Sequence, residues 1–308
     1  MSQPVAPKSP LKRLPHPFHP SKRDGSAFIT LPIEQRDCAL CVTEANRQLK
    51  QLDDQLKHES RIADVLQRAA LPAAMPTVDG LSIAYAYQAG DTEADIGGDF
   101  YDVFETSPGN VALVLGDVCG KGLAAAAQVS MLRNMLRYAL YSRQDLQQAV
   151  SELNSVLIAN SLLDAFATLF VAVVNTKSQT FEYVSCGHPA AMVVRRSLPN
   201  QIELLTQTGP ILGVAIDAPI RSGRGTLSKG DSIVIYSDGL VECGPHRCEL
   251  LGVSKVILAI RGRELDSSAE DIARQIYAAS RQTTAGGGDD ICLVVGQVTT
   301  DGTEQGSV

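Results

Sequence analysis

The 308-residue chain is 44% hydrophobic and carries a net charge of −7, which is enough apolar content for one large domain or two small ones. Its acidic balance excludes a broad nucleic-acid-binding face, because neutralising phosphates needs clustered Lys and Arg. No apolar run approaches the roughly 20 residues of a membrane span, and the start MSQPVAPKSPLKRLPHPFHP lacks the apolar core of a secretory signal, so the chain reads as cytoplasmic.

Residues 1–32 hold seven prolines among polar and basic neighbours and read as a disordered arm with little to bury. From Val42 the positions Val42, Ala45, Leu49, Leu52, Leu56, Glu59, Ala63, Leu66 and Ala70 step by alternating threes and fours, the pattern of a coiled-coil seam that only Glu59 interrupts. The segment 33–70 is therefore expected to be one helix, either packed on its own domain or pairing two copies. Leu71-Pro72 and Pro76 stop it, and a new domain is expected over 71–299, with a flexible tail at 300–308.

Within that domain LSIAYAYQ, FYDVFET and VALVLGDV read as strands, with Pro108 to Asn110 turning between the last two. LAAAAQVSMLRNMLRYAL and the stretch from Gln144 to Leu163 read as helices. ATLFVAVVNT, TFEYVSCG and AAMVVRR return to strands, and a Gly- and Pro-bearing loop leads to DSIVIYSDGL. Helical stretches follow at Glu249 to Ile260 and Ala269 to Arg281, and DDICLVVGQV closes the set. Runs of strands separated by helix pairs, rather than strict alternation, predict an α+β domain with antiparallel sheets in layers.

Acidic residues recur at the ends of these apolar strands: Asp99 and Asp102, Asp117, Asp238, and Asp289 with Asp290. Carboxylates a few ångström apart repel by roughly 4 kcal/mol at an effective dielectric near 20, and burial adds a desolvation cost. A compensating cation is expected. Glycines flank several of them, in GGD, GDVCGKG, SDGL and GGGDD, and allow the main chain to approach a ligand. Carboxylates joined by a carbonyl suit hard divalent cations such as Mg²⁺ and Mn²⁺. Two such ions would clamp a phosphoryl group and acidify a water, leaving no need for a protein nucleophile. For any single Asp-Gly the competing role is a turn or a helix cap. Strand alternation turns Asp102 and Asp290 away from their neighbours, as supporting or turn residues rather than ligands.

The seven cysteines are odd in number and lie mostly in apolar segments, which suits reduced core thiols. Cys38 with Cys41, and Cys243, His246 and Cys248, fall short of a four-ligand zinc set. His188, after an apolar strand, reads as a turn-forming structural residue, although its titration range would suit catalysis.

GGDFYDVF, GDVCGKGLAAA, ATLFVAVV, SCGHPAAMVV, GPILGV, KGDSIVIYSDGLVE and DDICLVV stand in this order between Leu71 and Val298. The set resembles the SpoIIE-like branch of the PPM metal-dependent serine/threonine phosphatases, which includes bacterial sigma-factor regulators. The resemblance implies an α-β-β-α sandwich with two Mn²⁺ or Mg²⁺ ions at one edge. Carried over, Asp117 bridges the ions, Val118 offers its carbonyl, Asp238 and Asp289 complete the set, and Asp99 matches the aspartate of the GGD motif. Gly120, Lys121 and Gly122 are the candidate phosphate contacts. Where many eukaryotic relatives have histidine two residues after the bridging aspartate, this chain has Cys119, and no arginine stands near the start of the domain for phosphate capture; the branch commonly lacks both.

The implied substrate is a phosphoserine or phosphothreonine on a bacterial regulatory protein, an anti-sigma-factor antagonist of the STAS type. Control is expected from homodimerisation or an activating partner at the 33–70 helix. The alternatives are a pseudophosphatase scaffold and a phosphomonoesterase of small molecules.

Overall fold

The computed structural model describes residues 33–72, 74–88, 97–142, 145–198, 201–217, 219–241, 252–262, 266–281 and 290–300. The chain divides into two units, Met1–Gln51 and Leu52–Val308. Helix α1 (Ile33–Ala70) runs through the boundary between them. Val42, Leu49, Leu52 and Leu56 on its seam are all at least half exposed, while Lys57 pairs with Asp53 at 2.9 Å one turn away. No helix among the described residues is long and apolar enough to cross a membrane.

The second unit contains two five-stranded antiparallel sheets. One carries β1 (Leu81–Gln88), β6 (Ala191–Val194), β7 (Ile202–Leu205), β9 (Ser232–Tyr236) and β10 (Ile291–Val298), in the order β1-β10-β9-β6-β7. The other carries β2 (Asp99–Ser107), β3 (Asn110–Val118), β4 (Ala167–Asn175), β5 (Thr180–Cys186) and β8 (Gly223–Thr226), in the order β2-β3-β4-β5-β8. Helices α2 (Gly122–Ser142) and α3 (Leu146–Ala159) cover the second sheet; α4 (Asp238–Val241), α5 (Gly252–Arg261) and α6 (Ala269–Arg281) cover the first. This is the expected α-β-β-α sandwich.

Side-chain alternation explains why strands such as β3 are apolar on both faces. Val111, Leu113 and Leu115 meet Ile233, Ile235, Cys292 and Val294 between the sheets. Ala112, Val114 and Val118 pack under Val129, Leu132 and Leu136 of α2.

Three expectations change in detail. The stretch between β6 and β9, read as a loop, contains β7 and β8. GRGT of β8 has no apolar residue to signal a strand, and its order comes from pairing with β5 over Thr180 to Tyr183. Helix α3 ends at Ala159 instead of Leu163, because Asn160 caps it and Ser161 takes a left-handed φ of 48°. Asp145 caps its start by accepting from Gln148 N at 2.8 Å; Gln144 lies outside the described residues. The start of the helix expected from Glu249 also lies outside them, and α5 begins at Gly252.

Asp102 faces the helices, not the inter-sheet core. It is 1% exposed and accepts from Arg133 Nε at 2.9 Å and Arg137 Nη2 at 2.7 Å, tying β2 to α2. Arg137 also lies 4.5 Å over the Phe104 ring. Removing the one carboxylate strands two guanidiniums. Asp102→Ala is expected to destabilise the protein by about 3–5 kcal/mol, read as a shift of the urea midpoint; a loss below about 1 kcal/mol would place this cluster among ordinary surface pairs.

Candidate metal centre

Asp99 opens β2 and lies directly opposite Asp117 in the β2–β3 register. The alternation that sends Tyr101 and Val103 between the sheets sends Asp99 there too, and Asp117 follows Val111, Leu113 and Leu115. In the facing sheet Ile233 and Ile235 put Ser237 on the inner side, and Cys292 and Val294 do the same for Asp290. Asp238 begins α4 immediately after Ser237. The apolar ladders of both sheets thus run out into carboxylates at one end.

The Gly97-Gly98 pair lets these segments close. Val118 N donates to Gly98 O at 3.0 Å. A Cβ on Gly98 would lie 1.9 Å from the Val118 carbonyl oxygen and 2.5 Å from Asp117 Oδ1; one on Gly97 would lie 1.8 Å from Asp290 Oδ2. At Gly98 the clash is with main chain and only glycine fits, whereas at Gly97 the Asp290 carboxylate would have to move aside.

Asp99 is 4% exposed, and neither carboxylate oxygen has a hydrogen-bond partner among the described residues. Burial pushes its pKa well above the usual carboxylate range; the charge of Asp117 adds to this, Ser237 opposes it, and Asp238 and Asp290 raise it further. The Ser237 hydroxyl gives that opposition only weakly, since it donates to the Asp290 carbonyl at 3.3 Å and accepts from Cys292 N at 3.0 Å. Tyr87 donates to Asp290 Oδ2 at 3.4 Å, and burial, followed by the charges of Asp290 and Asp99, holds its phenol protonated. A buried carboxylate with two unpartnered oxygens beside three more carboxylates and a main-chain carbonyl fits a hard divalent cation. Among the described residues no three His, Cys, Asp or Glu side chains close on one point by themselves; the Val118 carbonyl and Asp117 Oδ1 both border the space beside Gly98.

Of the residues expected at the site, Asp99, Asp117, Val118 and Asp238 come together; Asp289 lies outside the described residues, as do Cys243, His246 and Cys248. Gly120 and Gly122, with φ of 133° and 77°, flank an exposed Lys121 at the entry to α2. Cys119 is half-buried. His188 is buried, bonds Thr168 Oγ1 through Nδ1 at 2.9 Å, and has its pKa lowered to about 3 by burial, which leaves it a neutral structural group. Asp290, expected as a supporting or turn residue, lies between the sheets near Asp99, on the alternation counted back from Cys292. Tyr87 gave no signal beyond its place at the end of β1.

Residues 107–299, more than half of the chain, match the family model described as stage II sporulation protein E, SpoIIE. The chain belongs to the SpoIIE family. It carries a PPM-type phosphatase domain. Over 241 residues it is 28% identical to the phosphoserine phosphatase RsbU of Bacillus subtilis, an alignment that takes in 76% of this chain and 68% of RsbU. The solved RsbU and RsbW domains of Rv1364c from Mycobacterium tuberculosis superpose with a TM-score of 0.62 at 26% identity, over 76% of this chain and 64% of that one. RsbX, solved in complex with magnesium, shares the fold at a TM-score of 0.55 and 14% identity, over 73% of this chain and 99% of RsbX. The chain thus spans about two thirds of the first two relatives.

Because folding raises the pKa of Asp99, unfolded protein releases that proton near pH 3.9 while metal-free folded protein retains it. The metal-free wild type should therefore lose stability relative to Asp99→Asn as the pH rises from about 4 towards neutrality. Thermal melts of both proteins in chelator across that range test this; parallel curves would mean that Asp99 is compensated within the chain.

Proposed function

We propose that the chain is a metal-dependent protein serine/threonine phosphatase. The observation that carries this reading is Asp99, buried and unpartnered among Asp117, Asp238 and Asp290 with the Val118 carbonyl against Gly98. Asp99, Asp117, Asp238, Asp289 and the Val118 carbonyl would hold two Mn²⁺ or Mg²⁺ ions, Asp117 being shared between them. Bound there, the ions supply Lewis acidity towards the phosphoryl group and make water acidic enough to attack at neutral pH. The chain provides the rest. Amides at Gly120 and Gly122 and the Lys121 ammonium orient the phosphate, and burial between the sheets limits bulk water around the acidic residues.

A protein substrate is favoured over a small ester by the rim beside this loop. Cys119 N donates to Phe166 O at 2.9 Å, and Asp164 N donates to Gln128 Oε1 at 3.1 Å. Gly213 packs on Leu163 and Phe166, and buried Asn154 donates to Ala215 O and accepts from Gly213 N. This rigid frame exposes Leu123, Phe166, Val214 and Ile216. A phosphoserine entering at Gly120 to Gly122 would bring its protein's apolar surface onto them. A small ester leaves them unused, and a scaffold would not need so costly a carboxylate cluster.

The substrate proposed is a phosphorylated STAS-type anti-sigma-factor antagonist in the cytoplasm. The exposed α1 seam is proposed to pair as a coiled-coil homodimer or to receive an activating partner. In this parsing residues 1–32 are an arm, 33–70 the regulatory helix, 71–299 the phosphatase domain and 300–308 a tail.

The purified chain should hydrolyse a phosphoserine STAS-type protein and p-nitrophenyl phosphate only with Mn²⁺ or Mg²⁺. Asp117→Asn and Asp238→Asn should each lower kcat at least about a hundredfold. Phe166→Asp should lower kcat/KM for the phosphoprotein about tenfold more than for the ester. Turnover that survives chelation, or survives either carboxylate substitution, would refute the reading.

A further inference from the structure

Asp290 is a buried carboxylate outside the ligand set proposed above, and its surroundings give it a different task. Ser237 Oγ donates to its main-chain carbonyl at 3.3 Å and Tyr87 Oη to its Oδ2 at 3.4 Å. The same Oδ2 stands 1.8 Å from where a Gly97 Cβ would be, so the carboxylate rests against the Gly97 main chain. Gly97 leads into Gly98, which bonds Val118 N and closes on the Val118 carbonyl, and then into Asp99.

Tyr87 is placed by packing. It lies opposite Cys292 in the β1–β10 register, and its ring centroid is 6.2 Å from that of Tyr101, which stacks on Tyr85 at 5.3 Å. Strands β1 and β2 are edge strands of the two facing sheets. The three tyrosines bridge them and bring the Tyr87 hydroxyl to the carboxylates. A phenol suits this position better than Lys or Arg, because a fixed cation would compete with a divalent ion for the same oxygens.

We propose that Tyr87 is a positioning residue of the metal centre: its hydroxyl holds the Asp290 carboxylate against Gly97 and so fixes the Gly98–Asp99 turn relative to the Val118 carbonyl. The inference rests on the metal-dependent reading above. Phenylalanine at position 87 would keep the ring contact with Tyr101 and lose the hydroxyl's bond to Asp290 Oδ2, removing that hold on the carboxylate beside Gly97.

Calorimetric titration of the full chain with Mn²⁺, beside melting temperatures in chelator, tests it on wild type, Tyr87→Phe, Tyr85→Phe and Asp117→Asn. Tyr87→Phe is expected to raise the Mn²⁺ dissociation constant about tenfold with the metal-free melting temperature unchanged. Tyr85→Phe, which loses a hydroxyl from the same cluster without touching Asp290, is expected to bind as wild type. A wild-type isotherm for Tyr87→Phe, with binding lost in Asp117→Asn, would overturn the inference and leave the metal centre standing. Weaker binding that tracks a lowered metal-free melting temperature would assign Tyr87 to packing and overturn it too. A wild type that takes up no Mn²⁺ would remove both the centre and the inference.

Discussion

Asp99 and Asp117 face each other across one antiparallel pair, at the end of the largely apolar core between the sheets. Water cannot screen Asp99 there, and among the described residues no donor satisfies its oxygens. Repulsion of this kind, several kcal/mol at short range, opposes the folded state unless a proton or a cation neutralises it. The surrounding structure can be understood as the frame that keeps these carboxylates together against it. Pairing β2 to β3 fixes two of them; β9 and β10 bring Asp238 and Asp290 from the other sheet.

The frame is stiffest where it needs to be. Asp102, three residues from Asp99, is gripped by Arg133 and Arg137, so β2 is anchored to α2 on the face opposite the acidic cluster. Helix α2 starts four residues after Val118, so the segment carrying the carbonyl and the glycine-flanked Lys121 is held at both ends. The α3–β4 connection is bonded in turn to Cys119 and Gln128. The proposed phosphate-facing turn is thus tied to its neighbours by main-chain and side-chain bonds, and exposed apolar side chains stand beside its exposed Lys121.

Much of this was legible in the residues. Long apolar runs separated by helix pairs gave the layered α+β class, and carboxylates at strand ends marked one edge as chemical. Strand alternation was applied correctly to Asp102, which faces the helices. Asp290 stands in the acidic set read from the residues, and counting back from Cys292 and Val294 puts it between the sheets. Strands β7 and β8 were invisible because short edge strands draw their order from a partner, and GRGT has no pattern of its own. The convergence of Tyr87 with Asp290 depends on β1 pairing with a strand more than 200 residues away, which no local signal encodes.

The central claim is that a divalent cation completes the Asp99 environment. Crystals grown with Mn²⁺ and measured at the manganese absorption edge test it most directly. Anomalous peaks are expected within bonding distance of Asp99 or Asp117 and the Val118 carbonyl oxygen, with Asp99 no longer unpartnered. Density free of manganese at that edge, or an Asp99 carboxylate satisfied entirely by protein donors, would contradict it.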